Sequence, residues 1–128
     1  MVKQVQISLR QKQLIDTYID HLEAHINDLR AGKAEKTLEI RDFADKLHIH
    51  PRHLSNTISL VLGKSPCDLY ESRLIALAKE LLTDASLPIG EIANRLCFDP
   101  SNFTKFFKRF TGSTPREFRN ALALGHRI

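Results

Sequence analysis

Residues 89–119, IGEIANRLCFDPSNFTKFFKRFTGSTPREFR, decide the fold. Ile89, Ile92, Ala93 and Leu96 recur at helical spacing, which predicts a short helix with one apolar face. Cys97-Phe98-Asp99-Pro100 breaks it. Proline is favoured at the first position of a helix, where its missing N–H would be unpaired anyway, and Asp99 stands where a side chain can cap the new helix. In that second helix Phe103, Phe106, Phe107 and Phe110 make one stripe predicted to be buried. Ser101, Asn102, Thr104, Lys105, Lys108 and Arg109 are left on the outer face. Gly112 permits a left-handed exit, and Pro115 opens a further helix that runs to about Leu124, with Phe118 and Leu122 inward.

A short helix, a sharp turn and a second helix with a small, polar and basic outer face is the form in which a helix-turn-helix reads double-stranded DNA. The second helix must enter a major groove roughly 12 Å wide. Small residues near its start let the backbone approach the bases, and cations further along meet phosphates. The plainer alternative is a solvated face on an ordinary helical domain.

The same pattern occurs earlier in the chain at an offset of 49 residues. Phe43-Ala44 matches Ile92-Ala93, Leu47 matches Leu96, and Ile49 matches Phe98. Pro51 matches Pro100, Leu54 matches Phe103, and Ile58 matches Phe107. Gly63 matches Gly112, and Pro66 matches Pro115. A repeat of this length means two copies of one supersecondary unit. The reading helix of the first copy, PRHLSNTISLVL, turns Arg52, His53, Ser55, Asn56 and Ser59 outward. Leu60 and Val61 stand where the second copy has Arg109 and Phe110, so fewer phosphate contacts are available. Arg52 suits guanine and Asn56 suits adenine. An exposed Leu60 would suit a protein contact.

The segment from about Thr37 onward resembles the AraC/XylS-type DNA-binding domain, over roughly two thirds of the chain. The resemblance rests on Ile92-Ala93, Leu96, Phe98, Phe103, Phe107-Lys108, Gly112, Thr114-Pro115 and Phe118-Arg119. Two departures stand out. Cys97 occupies a position where the family usually has glycine, and the stretch from Phe98 to Phe103 is one residue shorter. The resemblance implies paired helix-turn-helices reading successive major grooves from one side of the DNA. It also implies transcriptional regulation, with activation the favoured sign and RNA polymerase the further partner.

The implied fold is all-α, divided as an N-terminal amphipathic helix and linker over 1–36, a first helix-turn-helix over 37–65, a connector helix over 66–83, and a second helix-turn-helix with a closing helix over 84–128. The connector, Pro66 to Leu82, is apolar at Leu69, Tyr70, Leu74, Leu77, Ala78, Leu81 and Leu82. Its expected role is to fix the spacing of the two readers, about 34 Å per turn of duplex. In the N-terminal helix, from Ser8 to Arg30, Ile15, Ile19, Leu22, Ile26 and Leu29 form a short heptad seam. The seam can pack on the domain behind it or pair with a second copy, so monomer and homodimer both remain open.

The 128 residues carry a net charge of +4 and are 42% hydrophobic. From Arg95 to the end there are seven Lys/Arg against two Asp/Glu, so basicity concentrates around the proposed reading helix. That is the electrostatic footprint of phosphate binding. No apolar run is long enough to span a bilayer, and MVKQVQISLRQ is no signal peptide, so a cytoplasmic, nucleoid-associated location without membrane contact is expected. Met1 and the well-formed helix behind it favour a stand-alone member of the family, controlled by abundance or a protein partner. Cys67 and Cys97 read as reduced, buried thiols.

His21 and His25 lie four apart on one helix, and His48, His50 and His53 cluster at a turn. Neither group has an acidic or thiolate ligand placed beside it, so solvated surface histidines are expected for the first pair, a helix-start role for His50, and no metal or cofactor. There is no Gly-rich phosphate loop and no nucleophile–base pair, and Ser101 and Ser113 read as helix-start and loop residues. The sequence therefore points away from an enzyme. A protein-interaction module that has lost DNA readout is the remaining alternative.

Overall fold

Ser8 starts the first helix by closing a capping box. Its hydroxyl accepts from the Gln11 N–H at 3.1 Å, and the Gln11 side chain accepts from the Ser8 N–H at 2.9 Å, which satisfies two orphan donors together. Helix α1 (Leu9–Arg30) follows. Then come α2 (Ile40–Leu47), α3 (Pro51–Leu62), α4 (Pro66–Leu82), α5 (Ile89–Arg95), α6 (Pro100–Thr111) and α7 (Pro115–Ala123). The structure is a computed structural model and describes residues 6–125. Among these the chain is all-α, as expected, with two helix-turn-helix pairs, α2–α3 and α5–α6. The end of the chain beyond Gly125, expected to fray, lies outside the described residues.

The chain divides into two compact units. The first takes the residues up to His25 together with Leu38–Ser72, and the second takes Ile26–Thr37 with the chain from Arg73 onward. Helices α1 and α4 therefore each supply residues to both. In the first unit Ile15, Tyr18, Leu22, Phe43, Ala44, Leu54 and Ile58 are buried. Tyr18 meets Phe43 edge-on at 5.4 Å between centroids, an arrangement favoured by the ring quadrupoles. In the second unit Ile26, Leu29, Leu77, Ala78, Ile92, Leu96, Phe103 and Phe107 make the core.

Helix α1 departs from its expected seam. Ile15, Leu22, Ile26 and Leu29 are buried, but Ile19 is only half-buried, and Tyr18 and His25 take the intervening core positions. The seam thus faces the interior of the chain. A seam drawn from aliphatic residues alone passes over two rings whose polar atoms can be satisfied internally. His25, expected on the surface, is 7% exposed. Its ring stacks on Tyr70 with centroids 5.7 Å apart, and its Nε2 lies 2.7 Å from the Tyr70 hydroxyl. The Leu38 N–H donates to that same hydroxyl at 3.3 Å, so the buried polar atoms are paired as burial requires.

Three further expectations change. Cys67, expected buried, is exposed in the first turn of α4, and its thiol donates to Glu71 Oε1 at 3.2 Å. Cys97 is half-buried. Phe110, expected in the buried stripe, is 45% exposed. It sits in the last turn of α6, past the end of the core, where it packs against Phe106 at 5.0 Å. Arg119 donates to the carbonyls of Leu82 (3.2 Å) and Asp84 (3.1 Å). It thereby caps the carboxyl end of α4 at Leu82, where the helix dipole favours a cation.

Candidate nucleic-acid interface

The two helix-turn-helix bends share one pair of backbone hydrogen bonds. In the first, the Ile49 N–H donates to the Ala44 carbonyl at 3.1 Å and the His48 N–H to that of Asp45 at 3.2 Å. In the second, Phe98 donates to Ala93 at 2.9 Å and Cys97 to Asn94 at 3.0 Å. This pairing is the Schellman ending of a helix, which needs a left-handed residue at its pivot. His48 (φ 57°) and Cys97 (φ 62°) supply it. The family's usual glycine at the position of Cys97 is thereby explained: the backbone there turns left-handed.

Each reading helix then starts on proline with a side-chain cap one residue before it. The Asp99 carboxylate accepts from the N–H groups of Ser101 (3.1 Å) and Asn102 (3.4 Å). His50 fills the same role in the first unit, its Nδ1 accepting from the Arg52 N–H at 3.0 Å. The helix-start role expected for His50 holds. Both reading helices end on a left-handed glycine, Gly63 at φ 68° and Gly112 at φ 83°.

Burial follows the repeat. Leu54, Thr57 and Ile58 are buried in α3, and Phe103, Phe106 and Phe107 at the matching places in α6. With those sides turned inward, the opposite faces are exposed. Helix α3 presents Arg52, His53, Asn56, Ser59 and Leu60, and α6 presents Ser101, Asn102, Lys105, Lys108 and Arg109. Ser55 and Thr104 sit half-buried at the edge. The Thr104 hydroxyl turns back to the Pro100 carbonyl at 3.1 Å, which competes with any outside partner.

The two faces differ in charge. The last turn of α6 carries Lys108 and Arg109, and that of α3 carries no basic residue. The Arg109 guanidinium lies 5.0 Å from the centre of the Phe110 ring. Leu60, 40% exposed, takes the matching place in α3. Beside α6, an open groove of about 440 Å³ is lined by Ile89, Gly90, Thr104, Thr114, Pro115 and Arg116. The Glu117 carboxyl nearby is held below its ordinary range by the Thr114 backbone N–H and hydroxyl, with Lys108 adding a smaller effect.

Sequence patterning assigns Arg95 no role. In the structure its Nη1 donates to the Arg30 carbonyl at 3.1 Å and its Nε to Glu91 Oε1 at 3.2 Å. Nothing in helical periodicity reveals a contact across 65 residues of sequence. Among the described residues no group of three or more His, Cys, Asp or Glu side chains, the histidines at the first bend included, is placed to hold one ion. No helix among them is long and apolar enough to cross a membrane.

A family described as "Helix-turn-helix domain" matches residues 43–121, which spans both bends and both reading helices. The HTH-type transcriptional regulator YfiF of Bacillus subtilis is 34% identical over 114 residues, covering 87% of this chain and 35% of the relative. The arabinose operon regulatory protein of Escherichia coli is 32% identical over 87 residues, covering 67% of this chain and 31% of that protein. The chain thus spans about a third of the length of these relatives. Among solved structures, the C-terminal domain of the response regulator AraT from Geobacillus stearothermophilus matches with a TM-score of 0.70 at 27% identity, over 82% of this chain and 84% of that one. The DNA-binding domain of AdpA, solved with a target DNA, shares the fold with a TM-score of 0.70 at 20% identity, over 87% and 93% of the two chains. With two bends of one design, two capped reading helices and a family match across both, the chain belongs to the AraC/XylS-type helix-turn-helix family.

Proposed function

We propose that this chain is a sequence-specific DNA-binding transcriptional regulator that reads two adjacent major-groove segments, one with α3 and one with α6. The observation that carries the reading is the matched exposure of the two helices: the same positions face outward in both, opposite matched buried sets. Base contacts come from Arg52, Ser55 and Asn56 in the first reader and from Ser101, Asn102 and Lys105 in the second, with His53 on phosphate or packing and Thr104 at the edge of the face. Phosphate contacts come mainly from Lys105, Lys108 and Arg109, with Ser59 a weaker contributor, so the second unit dominates affinity. The charge difference between the last turns of α3 and α6 supports that ranking.

In this reading residues 37–65 and 84–128 are the two readers, 66–83 the connector and 1–36 the support. The chain acts as a monomer, because the apolar side of α1 is covered within the chain. It works at the nucleoid, as an activator that recruits RNA polymerase, and has no catalytic role. The decisive experiment is selection from random duplex DNA with purified protein, followed by sequencing. Two enriched blocks about one helical turn apart support two readers. A single block restricts reading to one helix, and no enrichment at low salt favours a protein-interaction module. Transcription in vitro from a promoter carrying the selected site then gives the regulatory sign.

A further inference from the structure

We propose that Arg95 is a positioning residue for the second reading helix: it ties the helix-turn-helix bend to the chain leaving α1, and so sets where α6 presents its side chains. The inference rests on α6 being a base reader, as proposed above.

Arg95 is the last residue of α5 and lies two residues before the left-handed pivot Cys97. Its guanidinium makes two directed bonds at once, to the Arg30 carbonyl and to the Glu91 carboxylate. The Arg30 carbonyl belongs to the last turn of α1, where backbone acceptors lack intrahelical partners. Gly32 follows in a left-handed conformation (φ 73°), and a Cβ there would stand 3.5 Å from Arg95 Cγ. The arginine stem therefore packs flat on this bend. A second tie lies alongside, where the Cys97 thiol faces the Ala34 carbonyl at 3.5 Å.

The receiving segment is itself anchored. Arg30 forms a forked pair with Glu80 of α4, Nε to Oε2 at 2.5 Å and Nη2 to Oε1 at 3.1 Å. A two-pronged arginine–carboxylate pair fixes orientation as well as distance. The path from α4 through Arg30 to Arg95 ends at the bend from which α6 departs. Reading heads work only when held to within about half an ångström by such supports. Arg95 is only partly exposed, at 30% of its side-chain surface; its bond to the Arg30 carbonyl is part-buried, while that to Glu91 is an exposed pair one helical turn back.

The test uses the whole chain and two duplexes: the site recovered by selection with the wild-type protein, and the same duplex with the second unit's block scrambled. That block is identified as the one whose enrichment changes in Asn102→Ala. Arg95→Ala should lose about five- to tenfold of the discrimination between the two duplexes, the scale of one misread base pair. Its affinity for the scrambled duplex and its salt dependence should stay at wild-type values.

Undiminished discrimination would overturn the proposal. So would equal losses on both duplexes, which mark a folding defect. A fall of about one in the salt slope would also overturn it, since that marks a direct phosphate contact. If Arg95→Ala does not fold, Arg95→Lys decides: it keeps the charge but cannot grip the carbonyl and Glu91 together, so about two- to threefold of discrimination should go. Wild-type discrimination in that variant refutes the idea. A wild-type protein that does not distinguish the two duplexes would overturn the DNA-reading role of α6 itself, and that failure is visible before any variant is made.

Discussion

His48 and Cys97 hold the same left-handed backbone conformation, φ 57° and φ 62°, at matching points of the two helix-turn-helix bends. Each donates its N–H to the carbonyl three residues earlier, and each is followed by a residue that donates five residues back. Neither bend uses a glycine at this pivot, and both keep the same pair of backbone hydrogen bonds. A side chain with a Cβ in this conformation costs roughly 1–2 kcal/mol.

Cys97→Gly should therefore stabilise the second unit by about 1 kcal/mol, after the extra chain entropy of glycine is subtracted. The midpoint of thermal unfolding should rise by a few degrees. Cys97→Val, β-branched at the same φ, should lower it. A glycine variant less stable than wild type would mean that the thiol's approach to Ala34 outweighs the strain.

Phe107 and Phe110 lie three apart on α6 but differ in burial, the first fully buried and the second 45% exposed. Phe107→Ala should cost about 3–5 kcal/mol, the range for a deleted core aromatic. Phe110→Ala should cost about 1 kcal/mol or less, because the ring packs chiefly on Phe106 and water already reaches it. Urea denaturation of the two variants checks the contrast.

Lys105→Ala should weaken DNA binding more than Ser59→Ala. A plot of the logarithm of the binding constant against that of salt should become shallower by about 0.9 for each phosphate no longer neutralised. Titrations at several salt concentrations read both quantities. Equal losses in the two variants would count against dominance of the second unit.

Tyr18 is buried beside Tyr70, and burial first, then the neighbouring tyrosine, pushes its hydroxyl pKa up to about 12. A raised folded value means that the folded state holds the proton more tightly. The stability linked to this proton is complete below pH 10, the usual value, and is lost as pH rises toward 12. Unfolding followed from about pH 9 to about pH 12 should show this loss, and Tyr18→Phe should reduce it.

Much of the reader design is legible in the sequence because it is local. Pro51 and Pro100, Asp99, Gly63 and Gly112 act on backbone within a turn of themselves, and the repeat offset registers the two copies. The outward placement of Arg52, Asn56, Asn102 and Lys105 follows from helical periodicity, and the structure exposes all four. Periodicity serves less well for α1. It selects Ile19 over Tyr18 because hydrophobic type stands in for position, whereas the ring of Tyr18 reaches Phe43. Nor does it show that α6 outruns the core before Phe110.

The sequence by itself determined the helices, the caps at His50 and Asp99, the repeat of the two helix-turn-helices and the family. All of these depend on residues close along the chain or on a pattern repeated within it. Only the tertiary structure decided what long side chains do at a distance. His25 went inward because Tyr70 lies where its Nε2 can be paired. Arg119 turned to the end of α4 because the Leu82 carbonyl lies in the last helical turn, past the intrahelical donors. Arg95 turned to the end of α1, where its Nη1 reaches the Arg30 carbonyl. A buried ring or an arginine fork is placed by the partner it finds, and partners 37, 45 and 65 residues away leave no local trace in sequence.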